Sequence, residues 1–122
     1  MRGEARRIAP DGLYSPRSLG YHDAMKRDEI IRKLRDREAD LRARGVAHAA
    51  LFGSVARGDD RPESDIDIMV EIAPEARIGL FQYVGIVHYL EDMFTARVDV
   101  ANREGLKPLV RPAVEREAIY AF

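Results

Sequence analysis

Polar and apolar positions alternate along residues 65–72, which read Asp-Ile-Asp-Ile-Met-Val-Glu-Ile. Side chains of a β-strand point alternately to its two faces, so this pattern predicts a strand with one apolar face. That face carries Ile66, Ile68, Val70 and Ile72. Asp65 and Asp67 would project together from the opposite face at the start of the strand. Two carboxylates this close repel each other unless a cation lies between them, and Mg²⁺ prefers oxygen ligands of this kind.

Similar patterns predict the other elements. In chain order they are a helix over 27–44 that stops at Gly45, a strand over 46–52, a turn with one helical turn over 53–58, a helix over 79–94, a strand over 97–101 and a mostly helical stretch over 107–121, starting afresh near Pro112. The apolar stripe of the 79–94 helix, expected to face the core, is Leu80, Tyr83, Val84, Val87 and Leu90. This order predicts an α/β (α+β) fold, a small mixed sheet flanked by helices.

The first 24 residues differ from the rest, because they contain three glycines and two prolines and show no clear period. We therefore expect residues 1–24 to form a disordered or loosely docked arm and residues 25–122 to form the domain. An alternative is a partner-binding arm whose anchors are Leu13, Tyr14, Leu19 and Tyr21.

Composition restricts the classes of function. With 122 residues, a net charge of -1 and no cysteine, the chain offers one small domain without disulfides, thiolate metal sites or cysteine nucleophiles. A balanced charge provides no basic field for long nucleic acid. No apolar run approaches the roughly 20 residues that span a membrane, and the N-terminus lacks the apolar segment of a signal peptide. A cytoplasmic location is the resulting prediction.

A small-residue turn, Gly-Ser-Val-Ala-Arg-Gly over 53–58, precedes the two carboxylates. Gly53 would let the backbone approach phosphates, and Ser54 offers them a hydroxyl and an N–H group. Arg57 could clamp a phosphate or pair with Asp59 or Asp60, and both interpretations stay open. Ser64 could orient Asp65 or cap the strand, and Lys107 is a weaker phosphate candidate. The turn lacks the Gly-Lys-Ser/Thr ending of a P-loop, and no Gly-x-Gly-x-x-Gly fingerprint is present.

Gly53-Ser54 followed by Ser64-Asp65-Ile66-Asp67 resembles the nucleotidyltransferase superfamily that includes DNA polymerase beta, in particular its minimal (MNT) branch. The resemblance covers roughly residues 25–122 and implies a palm-like fold. It also implies a third carboxylate on a later strand, for which Asp99 between Val98 and Val100 is the candidate. Asp65 and Asp67 would then hold two Mg²⁺ ions, with Asp99 completing one site and helping to deprotonate the acceptor, and ATP or another NTP as co-substrate. The alternatives are a turn or cap role for Asp65 and a surface strand position for Asp99.

The same resemblance implies an antitoxin that adds AMP to a tyrosine of a HEPN-type RNase toxin encoded nearby. A partner would supply the acceptor, giving a hetero-oligomer, and Phe81, Tyr83 and Phe94 would form either its contact patch or part of the core. A second hypothesis is an antitoxin that binds and masks the toxin without catalysis. A third, less favoured, is a small-molecule modifier of the aminoglycoside nucleotidyltransferase type.

Overall fold

A four-stranded sheet with strand order β3-β2-β1-β4 forms the centre of the molecule. The computed structural model describes residues 19–59, 61 and 64–122, with side chains from Lys26 onward. The elements are α1 (Leu19–Asp36), α2 (Glu38–Ala43), β1 (Val46–Phe52), α3 (Gly53–Arg57), β2 (Ile66–Ile72), α4 (Leu80–Asp92), β3 (Val98–Asn102), α5 (Arg111–Glu117) and β4 (Ile119–Tyr120), with single 3₁₀ turns at Pro74–Ala76 and Arg103–Gly105. The predicted mixed α/β architecture is confirmed.

Strand β2 lies between β1, to which it is antiparallel, and β3, to which it is parallel. Its alternating apolar residues Ile66, Ile68 and Val70 are all buried, as the sequence pattern predicted. Met69, on the same face as the carboxylates, is also buried, at 1 % exposure, whereas Asp67 and Glu71 on either side of it are half-buried. Asp67 is therefore partly accessible near the N-terminal end of β2.

The core lies between the apolar face of the sheet and the helices that pack against it. Leu34 of α1, Leu41 of α2 and Leu90 of α4 are fully buried in one cluster with Leu51 and Ile68 of the strands. The predicted 27–44 helix is divided at Arg37, whose dihedral angles (φ -106°, ψ 13°) leave the helical region. Helix α2 ends just before Gly45, which has φ +106° and provides the predicted stop.

Helix α1 begins at Leu19, inside the stretch that the sequence assigned to an arm. The proposed partner anchors Leu13 and Tyr14 lie outside the described residues, as do Asp60, Pro62 and Glu63 of the loop before β2. The division into an arm and a domain stays a prediction. Within the described part of the chain, the helices are too short or too polar to cross a membrane.

The predicted core stripe of helix α4 is confirmed at Tyr83 and Leu90 but not at Leu80 and Val84. Ile86 and Leu90 are buried and Tyr83 packs against them, whereas Leu80 and Val84 of the predicted stripe are exposed. Phe81 is 89 % exposed, while Phe94 packs against the core, so the three aromatic residues do not form one patch. Apolar residues are so frequent along this helix that hydrophobicity alone could not identify the side that faces the core.

Conservative truncations test this rotation of α4. Ile86→Val should lower the free energy of unfolding by about 0.5–1.5 kcal/mol, because it removes a buried methyl group. Phe81→Ala should change it by less than about 0.5 kcal/mol, because the ring contacts little in the isolated chain. Urea unfolding of both variants measures the difference. A larger loss for Phe81→Ala than for Ile86→Val would contradict the observed rotation of the helix.

The C-terminal stretch departs from the prediction of a helix over 107–121. Helix α5 is seven residues long, and Ala118 (ψ 136°) turns the chain into β4. Ile119 and Tyr120 pair with Leu51 and Ala50 of β1, and the Ala121 N–H donates to the Ala49 carbonyl at 2.8 Å. Pairing with the open edge of β1 therefore prevails over the helical tendency of the sequence.

Candidate functional site

The two carboxylates of β2 meet a third from β3 at one edge of the sheet. Asp67 and Asp99 are register partners in the parallel β2–β3 pair, and Asp65 directly precedes β2. Partial burial and the nearby charges of Asp99 and Asp65 raise the pKa of Asp67 above its usual value. The structure thus brings the three predicted carboxylates into electrostatic contact.

The Gly53 turn lies directly against Asp67. Gly53 follows β1, and its backbone φ of +79° belongs to the left-handed region that favours glycine. A Cβ at this position would collide with Asp67 Oδ2 and lie 3.0 Å from Asp67 Cγ. The absence of a side chain at position 53 is therefore what allows the turn and the carboxylate to be neighbours.

Ser54 and Arg57 lie at the two ends of α3, the short helix that this turn begins. The Ser54 carbonyl accepts from the N–H groups of Gly58 and Asp59 at 2.9 and 3.0 Å, which closes the helix. Arg57 Nε donates to Asp59 Oδ2 at 3.2 Å, so the predicted pairing with Asp59 is present. The charge of the same guanidinium offsets part of the rise in the pKa of Asp67, which burial, Asp99 and Asp65 cause.

Glu117 is a site neighbour that the sequence analysis missed. Its Oε1 accepts from Arg57 Nη1 at 3.1 Å although the two residues are 60 positions apart. The neighbouring carboxylates Asp59 and Glu117 raise the pKa of Arg57, in that order of importance. Nothing in the local pattern of residues 111–117 distinguishes Glu117 from Glu115, so only the fold could identify it. Arg97, whose Nε lies 3.9 Å from Asp65 Oδ2, was missed for the same reason.

The two weaker candidates have different outcomes. Ser64 Oγ accepts from the Arg61 N–H at 2.7 Å, and the Ser64 N–H donates to the Arg61 carbonyl at 2.9 Å. Ser64 thus closes the loop immediately before Asp65. Lys107 is exposed in the segment that follows the end of β3, whereas Asp99 lies near the beginning of that strand. The structure does not bring Lys107 to the carboxylates.

The donor chemistry of the cluster fits Mg²⁺, since Asp65, Asp67 and Asp99 offer only carboxylate oxygens. Among the residues that the structure describes, no three acidic or histidine side chains already converge as a coordination set. Carboxylates without a cation between them repel one another, and after burial this repulsion from Asp99 and Asp65 is a cause of the raised pKa of Asp67. A bound cation would relieve that repulsion.

Comparison with known proteins agrees with this geometry. The family profile described as a nucleotidyltransferase domain matches residues 27–121. The protein adenylyltransferase MntA of Thermococcus cleftensis is 34 % identical over 94 residues, which are 76 % of this chain and 93 % of that protein. A solved minimal nucleotidyltransferase matches with a TM-score of 0.57 and 30 % identity, covering 87 % of this chain and 98 % of that one.

A more distant likeness concerns the fold alone. A crystal structure described as a toxin–antitoxin with AMP-PNP matches with a TM-score of 0.57 and 22 % identity, covering 79 % of this chain and 72 % of that chain. The family match spans most of the chain, and it includes the turn at Gly53 and all three carboxylates. On this basis the chain belongs to the nucleotidyltransferase domain family, as a minimal member of it.

Proposed function

We propose that this chain is a Mg²⁺-dependent nucleotidyltransferase that moves AMP from ATP to a tyrosine hydroxyl of a HEPN-type toxin, and so acts as an antitoxin. The observation that carries the proposal is the register of Asp67 with Asp99, with the Gly53 turn against Asp67. The protein adenylyltransferase that is 34 % identical supports a protein acceptor and AMP as the transferred group. The toxin–antitoxin fold neighbour supports an antitoxin in a hetero-oligomer.

The residues of the turn would hold the nucleotide. Gly53 leaves room for a phosphate beside the backbone, and Ser54 offers its hydroxyl and N–H group to the phosphate oxygens. Arg57 adds a guanidinium that pairs well with phosphate. Ser64 would not contact the nucleotide itself but would help to position Asp65, because it closes the loop directly before it.

Asp65, Asp67 and Asp99 would hold two Mg²⁺ ions. The ions would neutralise phosphate charge and make the acceptor hydroxyl easier to deprotonate. Asp99 is exposed at the start of β3, where an acceptor from another molecule could approach it, and it would assist removal of the hydroxyl proton. The tyrosine oxygen forms a bond to the α-phosphorus, the bond from that phosphorus to the bridging oxygen breaks, and pyrophosphate leaves.

Addition of AMP gives a physical account of neutralisation. The new phosphodiester brings a negative charge and a bulky nucleoside to the toxin. Beside an RNase site, both would oppose the binding of an RNA phosphate, by repulsion and by steric exclusion.

Label transfer tests the proposal. The purified chain is incubated with Mg²⁺, the toxin encoded beside its gene and ATP labelled with ³²P at either the α- or the γ-position. We expect α-label on the toxin, no γ-label, and no transfer by the Asp65→Asn/Asp67→Asn variant. Replacement of the modified tyrosine by phenylalanine should remove the label. Transfer of γ-label would instead indicate a kinase, and no α-label with any NTP would contradict the proposal.

Masking without catalysis is the remaining alternative. It predicts that the Asp67→Asn variant, which keeps the surface of the protein almost unchanged, protects cells from the toxin as well as the wild type does. Under the catalytic proposal the same variant binds the toxin but fails to protect. Cell survival measured together with complex formation separates the two.

A further inference from the structure

The hydrogen bond between Arg57 and Glu117 connects the turn over residues 53–58, which would bind phosphates, with the C-terminal helix α5. We propose that Glu117 is a positioning residue for nucleotidyl transfer: it holds the Arg57 guanidinium beside the carboxylates, where its remaining N–H groups can bind the phosphates of the NTP. This inference rests on the proposed function, and it adds a residue outside the turn and the strands that carry the chemistry. Glu117 would touch neither substrate nor metal and would act through Arg57.

Arg57 lies where such positioning has an effect. It closes α3, the five-residue helix whose first residue, Gly53, lies against the Asp67 carboxylate. Its side chain is 46 % exposed, so packing alone does not immobilise it. A long side chain of this kind loses up to about 2 kcal/mol of conformational entropy when it is fixed. Contacts that fix it before the substrate arrives therefore favour the reacting geometry.

The two carboxylates on Arg57 leave donors for a phosphate. A guanidinium carries five N–H groups. One on Nε donates to Asp59 and one on Nη1 donates to Glu117, at 3.2 and 3.1 Å. Both N–H groups of Nη2 and the second of Nη1 have no recorded acceptor among the described residues, and they can bind phosphate oxygens. Glu117 thus orients the Arg57 guanidinium and still leaves N–H groups that can donate to a phosphate.

Stability does not account for the placement of Glu117. The pair is partly exposed, with side-chain exposures of 46 % for Arg57 and 32 % for Glu117. Such partly exposed ion pairs contribute little to the stability of a fold. Glu117 is also the last residue of α5, where the partial negative charge of the helix end disfavours a carboxylate. Removal of Glu117 should accordingly leave the protein folded.

Loss of the Glu117 charge could also strengthen ATP binding, and this effect differs from the loss of positioning in its kinetics. Glu117 is negative, so its loss could strengthen the attraction between Arg57 and a triphosphate. That effect lowers KM for ATP and leaves kcat unchanged. Positioning predicts a lower kcat instead, because a displaced Arg57 no longer meets the charge that develops on the leaving pyrophosphate.

The test compares kcat and KM for transfer from ATP to the toxin in Glu117→Ala, Glu117→Gln and Glu115→Ala. We expect kcat to fall about tenfold in Glu117→Ala. The Glu117→Gln variant should lose less, because its amide oxygen can still accept from Nη1. Glu115 is the matched control, since it lies on the same helix, has similar side-chain exposure (34 %) and pairs with Arg103. Its variant should stay within about twofold of the wild type, and all three should melt within a few degrees of it.

A double-mutant cycle tests the route of the effect. Glu117→Ala should have no further effect on kcat in an Arg57→Ala background, because there is no guanidinium left to position. Equal losses in both backgrounds, an unchanged kcat in Glu117→Ala, or a lower KM with unchanged kcat would each overturn the inference.

Nitrogen NMR of Arg57 separates this inference from the proposed function. In the wild type at low temperature the Nη1–H signal of Arg57, which donates to Glu117, should be sharp and slow to exchange with water, and Glu117→Ala should broaden it. If the wild type transfers no label and this change is still seen, the proposed function fails while the positioning contact stands. If the signal is the same in both proteins, the inference fails whatever the activity.

Discussion

Asp67→Asn is expected to abolish nucleotidyl transfer and to produce a metal-free protein that melts slightly higher than the wild type. Asp67 is the register partner of Asp99 and lies two residues after Asp65, so its loss should weaken the proposed metal site. Several kcal/mol of transition-state stabilisation depend on such contacts, which corresponds to a loss of at least about a thousandfold in kcat. Rates of label transfer to the toxin measure this effect.

The expected rise in the melting temperature of Asp67→Asn follows from the raised pKa of Asp67. Burial and the charges of Asp99 and Asp65 raise this pKa in the fold, so the fold binds the proton more tightly than the unfolded chain does. The resulting stabilisation is present at low pH and is lost as the pH rises through the folded-state pKa, above the ordinary 3.8. At neutral pH the ionised Asp67 therefore costs stability that asparagine does not.

Melting in EDTA at pH 7 measures the relieved repulsion. Relief of about 0.5 kcal/mol at a partly exposed site corresponds to a rise of roughly 2–4 °C in a domain of this size. Glu71→Gln is the matched control, because Glu71 lies on the same face of β2 but pairs with Tyr120 and Arg103. That variant should keep its activity and should not melt higher. A lower melting temperature for Asp67→Asn would mean that the three carboxylates do not repel one another.

Gly53→Ala is expected to reduce both activity and stability. The left-handed backbone at position 53 costs a residue with a Cβ about 1–2 kcal/mol. The added Cβ also collides with the Asp67 carboxylate, so either the turn or Asp67 must move. A displacement of about 1 Å at reacting groups can cost a hundredfold in rate, and we expect a loss of that size.

Gly58→Ala separates the two causes. Gly58 has a similar φ of +82°, but among the described residues a Cβ there would approach only Nη1 of Arg27, at 4.0 Å. It should therefore show a similar loss of unfolding free energy with most of its activity retained. Urea unfolding and label transfer on both variants give the comparison. Equal losses of activity would show that backbone strain alone, and not the contact with Asp67, accounts for the effect of Gly53→Ala.

The first two strands were the most predictable parts of this chain. Residues 66–72 alternate between apolar and polar except at Met69, so β2 and the direction of Asp67 followed from side-chain geometry alone. Strand β1 was predicted with its observed limits, and the short turn between the two was read as glycine-rich with one helical turn. In these segments local preference and tertiary packing agree.

Prediction failed where a distant contact decides the structure. The rotation of α4 depends on which of its many apolar side chains meets the sheet, and the sequence offered Leu80 where the fold buries Ile86. Strand β4 exists because the edge of β1 offers unpaired backbone groups 70 positions earlier in the chain. Glu117 reaches Arg57 only because that strand returns the chain to the sheet. None of these contacts leaves a periodic trace in the local sequence.

The close approach of Gly53 to Asp67 also has a consequence for how the protein can change over generations. A substitution at position 53 is harmful while a carboxylate occupies position 67, but part of its cost disappears once position 67 holds a smaller residue. The two positions should therefore be epistatic. In lineages that lose catalysis and keep only the bound complex, Asp67 should be replaced first, and glycine should be released from position 53 afterwards.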